Sequence, residues 1–177
     1  TDGAIIKARQ LVEDNPDKYF MPDQFTNKYN KIAHYETTAD EIWKQTEGKV
    51  THFVSALGTS GTLMGVGKQL KEHNPSIKVV SAHPEKGHYI QGLKNMEEAI
   101  VPAIYDEALL DETMIIDTEE AFEMTRQIAK REGLFVGMSS GAAMLAALKL
   151  AEQIEEGVIV TIFPDRGEKY LSTELFG

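Results

Sequence analysis

Apolar positions along the chain alternate between two rhythms, one of helical period and one of short continuous runs. Ala4, Ile5, Ala8, Leu11 and Val12 form a helical stripe that stops at Asn15-Pro16. Met21 to Asn27 reads as a short strand or extended turn, with polar loop following to Glu36. Thr38-x-x-Glu41 has the form of a capping box and opens a helix that carries Ile42 and Trp43 and ends near Gly48. Val50 to Leu57 is a β-rich run, Leu63 to His73 is amphipathic at helical period, and Ile77 to Ala82 is a second apolar run that ends at His83-Pro84-Glu85. Strand, helix and strand in that order predict a βαβ unit and so a parallel sheet.

Residues 86–112 have no clean period and contain Gly87, Gly92 and Pro102, which predicts a long loop with short helices, a feature that usually serves function. Met114-Ile115-Ile116 predicts a strand. Asp117-x-x-Glu120 then caps a helix running through Arg131 and stopped by Gly133. Leu134-Phe135-Val136 leads into a glycine-bracketed turn, Gly137 to Gly141, followed by an Ala- and Leu-rich helix from Ala142 to Glu156. Val158 to Phe163 predicts a strand buried on both faces, with a turn at Pro164-Asp165-Arg166-Gly167 where ligands of open α/β sheets gather. The expected class is α/β, an open, mainly parallel sheet flanked by helices.

Composition narrows the partners. With 177 residues, 42% of them hydrophobic, the chain can bury the core of one ordinary domain. Eighteen Lys and Arg against 28 Asp and Glu give a formal net charge of −10, which repels phosphodiester backbones and anionic lipid and argues against nucleic acid or a membrane as partner. Cysteine is absent, so disulfides and thiolate metal sites are excluded, and the five histidines form no H-E-x-x-H pattern; no metal site is expected. No basic segment precedes an apolar core at the start, and no apolar run reaches membrane-spanning length; the expectation is a soluble, cytoplasmic protein. A helical stripe that begins almost at residue 1 is an abrupt start for a native domain and predicts a piece of a longer protein.

The strongest chemical signal is Gly58-Thr59-Ser60-Gly61-Thr62, set between the β-rich run and the helix that follows. Glycines let backbone N–H groups turn inward, three hydroxyls add donors, and the positive end of the helix dipole faces the same point. A phosphate is the expected guest, with a plain Gly/Ser/Thr turn as the alternative. No lysine follows as in a Walker A loop, and the G-x-G-x-x-G spacing of dinucleotide folds is absent. Read alone, Ser139 is an ordinary helix N-cap, Gln24 a polar strand end, His34 a structural histidine without catalytic role, and Asp165-Arg166 a solvated turn.

Together these stretches resemble the fold-type II, pyridoxal-5′-phosphate (PLP) enzymes of tryptophan synthase β-like architecture, and among them the cysteine synthases (O-acetylserine sulfhydrylases), nearest the B-type branch. The markers are Gln24-Phe25-x-Asn27, His34 with Thr37-Thr38-x-x-Glu41-Ile42-Trp43, Gly58 to Thr62, Pro84-Glu85, Gly137-x-Ser139-Ser140-Gly141-Ala142 and Gly167 to Thr173. The resemblance implies that Gly58, Thr59, Ser60, Gly61 and Thr62 hold the PLP phosphate, with Ser60 standing where the family commonly has Gly. It implies that Ser139 meets the pyridine nitrogen, and that Gln24 lies near the substrate carboxylate.

By the same resemblance the Schiff-base lysine and the substrate-carboxylate loop belong to an N-terminal half preceding Thr1. The chain is then the C-terminal part of such an enzyme, with residues 1–30 trailing from the small domain and 31–177 forming the PLP-binding domain. No catalytic residue is expected within it, and the isolated chain is expected to be inactive. The intact protein, expected to be a homodimer, would replace the acetate of O-acetylserine with sulfide to give L-cysteine. Lys94 and His88 bring positive charge to the segment near the active-site entrance, which extends the expectation to O-phosphoserine, with Lys94 as a substrate-binding residue; an ordinary surface lysine is the alternative. The competing functions are cystathionine β-synthase, serine or threonine dehydratase, and a non-catalytic phosphate-binding α/β module.

Overall fold

The computed structural model describes residues 2–177. Four strands, β1 (His52–Ala56), β2 (Lys78–Pro84), β3 (Glu112–Ile116) and β4 (Ile159–Thr161), form one sheet in the order β3-β2-β1-β4, with every pairing parallel. Alternate side chains feed two apolar layers. Val54, Val80, Ala82, Met114 and Ile116 pack against α5 (Thr118–Glu132) and α6 (Met138–Ala151), while Phe53, Val79 and Ile77 pack against α3 (Thr38–Gln45) and α4 (Gly61–His73). Helices thus cover both faces, as βαβ connections require. The remaining helices, α1 (Asp2–Asp14) and α2 (Tyr29–Glu36), precede the sheet.

Four sequence expectations need correction. The polar loop to Glu36 is helix α2, which buries no residue fully and is held instead by close approach to α4: a Cβ on Gly65 would stand 2.3 Å from the Lys31 carbonyl oxygen. The capping box at Thr38 is not formed, because Thr37 is the N-cap and the Thr38 hydroxyl lies 2.9 Å from His34 Nδ1. The glycine-bracketed turn at Gly137–Gly141 is already helical, with Gly137 as N-cap of α6, and that helix stops at Ala151 before a run of glutamates that opposes the helix dipole. Finally, β4 is only half-buried, since it stands at the sheet edge with β1 as its one partner among the described residues. Met21–Asn27 contains no strand, and Asp117 does cap α5 through Glu120 N–H at 2.9 Å. No helix among the described residues is long and apolar enough to cross a membrane.

Candidate functional site

From β1 the chain builds β2 and then β3 to one side and returns to place β4 on the other. The carboxyl ends of β1 and β4 therefore flank a topological switch point, where open α/β sheets bind ligands. A hollow of about 330 Å³ opens there, lined by Ala56 at the end of β1, by Gly58 to Leu63, and by Ser139. Gln91 and Gly92 close one wall, and Pro164, Asp165, Lys169 and Tyr170 another.

The glycine-rich loop forms the base of this hollow and runs into α4, whose first two residues are Gly61 and Thr62. Gly58 is required by close approach, since a Cβ there would meet the Gly92 carbonyl oxygen at 2.4 Å, while a Cβ on Gly61 would stand 1.9 Å from Asn30 Oδ1 and displace that side chain. Ser60 has φ 72°, a left-handed conformation that favours glycine and costs a serine about 1 kcal/mol. Its hydroxyl is buried and has no partner among the described residues. A buried hydroxyl without a partner, in a loop already strained to hold it, suits an anion seated on the loop. Helix α2 backs the loop. Asn30 donates to Thr59 Oγ1 at 3.0 Å, and His34 Nε2 lies 3.2 Å from Thr62 Oγ1.

A second helix start converges on the hollow. Ser139 lies in the first turn of α6, nearly buried, rather than at its N-cap. Beside it Asp165 accepts from the Tyr170 hydroxyl at 2.7 Å and from Lys169 at 3.3 Å, while its other oxygen is buried without a partner among the described residues. Burial and that hydrogen bond to Asp165 hold the Tyr170 phenol well above its ordinary pKa, so it stays a neutral donor.

Of the residues singled out in the sequence, Gly58 to Thr62 and Ser139 come together. Gln24 does not line this hollow; it borders a neighbouring one with α1, and its carbonyl accepts from Asn30 at 2.8 Å. Lys94 does not line this hollow either: it is buried, paired with Asp2 at 2.5 Å, and its ammonium sits 5.3 Å from the centre of the Phe25 ring. A loop lysine became internal because Asp2, at the start of α1, supplies the countercharge. Asp165 lines the hollow but Arg166 lies outside it, bridging Val136. The site also takes in Asn30, Gly92, Lys169 and Tyr170, for which the sequence alone predicts no role, although the last two lie within the Gly167–Thr173 stretch. Elsewhere, ligand atoms of Glu85, His88 and Asp117 lie within 4.8 Å of one another at the surface, and Asp117 is engaged in capping α5.

Comparison with known proteins agrees with this fold. The profile of the pyridoxal-phosphate dependent enzyme family matches residues 1–165. The chain is 50% identical to the cysteine synthase of Aquifex aeolicus, covering 99% of this chain and 55% of that protein. It is 44% identical to cysteine synthase B of Pseudomonas aeruginosa, covering 99% and 58%. Among solved structures, O-acetyl serine sulfhydrylase isoform 3 from Entamoeba histolytica superposes with a TM-score of 0.88 at 43% identity, over 98% of this chain and 54% of that one. The O-acetylserine dependent cystathionine β-synthase of Helicobacter pylori gives 0.89 at 39% identity, over 99% and 59%. The chain spans little more than half the length of these relatives.

Proposed function

The chain belongs to the pyridoxal-phosphate dependent enzymes, among the fold-type II cysteine synthases, and from that premise we propose that it is the PLP-binding portion of an enzyme making L-cysteine from O-acetylserine and sulfide. The observation that carries the proposal is the convergence of the α4 and α6 starts on one hollow, with the unpartnered Ser60 hydroxyl at the first and Ser139 at the second. Gly58 to Thr62 would hold the phosphate through backbone N–H groups and hydroxyls, and Ser139 would face the pyridine nitrogen. When bound, the cofactor supplies the electron sink for β-elimination and replacement. A neutral serine hydroxyl beside that nitrogen keeps the sink moderate, which suits replacement at the β-carbon. Tyr170 and Asp165 fix the wall next to it.

In the same reading, Gln24 lies near the substrate carboxylate, residues 1–30 belong to the small domain and 31–177 to the cofactor domain. The Schiff-base lysine is contributed by sequence outside this chain, which is inactive alone; the intact enzyme is a cytoplasmic homodimer. O-acetylserine is the favoured donor over O-phosphoserine, since the Lys94 ammonium that would meet a phosphate is held by Asp2. A cystathionine β-synthase is the second reading, favoured by the Helicobacter pylori likeness; the two differ in the thiol acceptor. The deciding experiment assays the intact protein with O-acetylserine and either sulfide or homocysteine, beside the 177-residue chain mixed with PLP. Cysteine formation by the intact protein alone is expected; cysteine formation by the isolated chain, or homocysteine as the better acceptor, overturns the corresponding part.

A further inference from the structure

Resting on the reading of the glycine-rich loop as a phosphate cradle, we infer that Asn30 is a positioning residue that aims the Thr59 hydroxyl at the guest and ties the cradle to the Gln24 turn. The Gln24 carbonyl oxygen can only accept, so the Asn30 atom 2.8 Å from it is the amide nitrogen. The same nitrogen lies 3.0 Å from Thr59 Oγ1. Its two hydrogens are therefore divided, one to the backbone of the Gln24 turn and one to the loop hydroxyl.

The consequence falls on Thr59. An amide nitrogen does not accept, so the Thr59 oxygen must be the acceptor of that contact, and the Gly61 N–H approaches the same oxygen at 3.5 Å. The hydroxyl's own hydrogen has no acceptor among the described residues, and Thr59 lines the hollow. With its oxygen occupied from behind, the hydroxyl is a donor committed toward the hollow, which is what a bound anion needs. On the other side of the same side chain, Asn30 Oδ1 lies where a Cβ on Gly61 would stand, 1.9 Å away. The amide is thus wedged between α2, the Gln24 turn and the first residue of α4. Because one nitrogen makes both contacts, the loop hydroxyl and the Gln24 turn are held through the same amide. Asn30 thus ties the Thr59 donor of the cradle to the Gln24 turn.

The test uses the 177-residue chain with inorganic phosphate and PLP as probes, and reads two quantities. The first is the NMR position of the two Asn30 side-chain amide protons, which does not depend on any ligand. Thr59→Ala should move one proton and leave the other, held by Gln24, in place; if neither moves, the assignment of Asn30 is wrong. The second is affinity for the probes in Asn30→Ala, Thr59→Ala and the double variant. Each single change should weaken binding about tenfold, as for one hydrogen bond to a charged group, and the double variant should be no weaker than Thr59→Ala alone. Losses that add would overturn the claim that Asn30 acts through Thr59 and leave it a packing residue. If the unaltered chain binds neither probe, the cradle reading fails by itself, while the amide protons still decide the role of Asn30. Should Asn30→Ala not fold, the Thr59→Ala spectrum alone decides.

Discussion

His34 Nε2 stands 3.2 Å from the Thr62 hydroxyl, and its Nδ1 stands 2.9 Å from the Thr38 hydroxyl. Burial lowers the His34 pKa, so the ring is neutral near pH 7 and carries one hydrogen for two neighbours. If that hydrogen is on Nε2, the ring donates to Thr62 and leaves the threonine hydrogen free for an anion; if it is on Nδ1, Thr62 donates to the ring instead. An anion on the loop selects the first arrangement, in which Thr38 donates to Nδ1.

Thr62→Val keeps the shape of the side chain and removes this donor. Affinity for PLP or inorganic phosphate should fall by about 1 to 3 kcal/mol, the value of a hydrogen bond to a charged group. Calorimetric titration of the variant checks this, and unchanged affinity takes Thr62 out of the site.

The sequence made the sheet and the loop legible because both are written locally. Val50 to Leu57 and Ile77 to Ala82 are apolar runs of strand length, and Gly58 to Thr62 puts two glycines and three hydroxyls between a strand and a helix start. What stayed hidden is held by pairs distant in the chain. Helix α2 has no long apolar stripe and rests on Asn30, His34 and the glycines of α4; Lys94 reads as a substrate-binding or an ordinary surface lysine until Asp2 is seen beside it, 92 positions away. Tyr170 and Asp165 likewise reach the hollow only because β4 returns beside β1.

Gly65→Ala tests the α2–α4 contact apart from the site. A methyl group there would collide with the Lys31 carbonyl oxygen at 2.3 Å and with the His34 Cβ at 2.8 Å, and backbone cannot rotate out of the way. Overpacking of this kind typically costs about 1 to 3 kcal/mol. Urea denaturation should show a lowered midpoint. An unchanged midpoint would mean that α2 is free to move off α4.

Lys94→Ala should alter a local pKa and leave donor choice alone. The Lys94 hydrogen bond, aided by the Ile100 N–H, holds the Asp2 carboxyl below its ordinary value. Removing the ammonium should raise the Asp2 pKa toward the usual carboxylate range, as read by NMR titration, and the ratio of O-acetylserine to O-phosphoserine turnover in the intact enzyme should not change. A selective loss with O-phosphoserine would return Lys94 to the substrate site.

Acid sensitivity should trace to His83. This side chain, in β2, is nearly buried, its Nε2 has no partner among the described residues, and burial pushes its pKa down from 6.5 to about 4. Above pH 6.5 the ring is neutral in both folded and unfolded chains and titration contributes nothing. As pH falls below 6.5 the unfolded chain takes up a proton that the folded chain refuses, so stability is lost, and the loss levels off only below about pH 4, where the folded form protonates as well. Between pH 7 and pH 5 this one ring should remove about 2 kcal/mol, at roughly 1.4 kcal/mol per pH unit through the window. His83→Leu removes the titration, and comparing each protein with itself at the two pH values cancels the change in packing. The variant should lose about 2 kcal/mol less than the parent over that interval in urea melts. Equal losses would mean that the folded protein accommodates the imidazolium, through Glu97 or through water reaching the ring, and that the acid limit is set by the carboxylates.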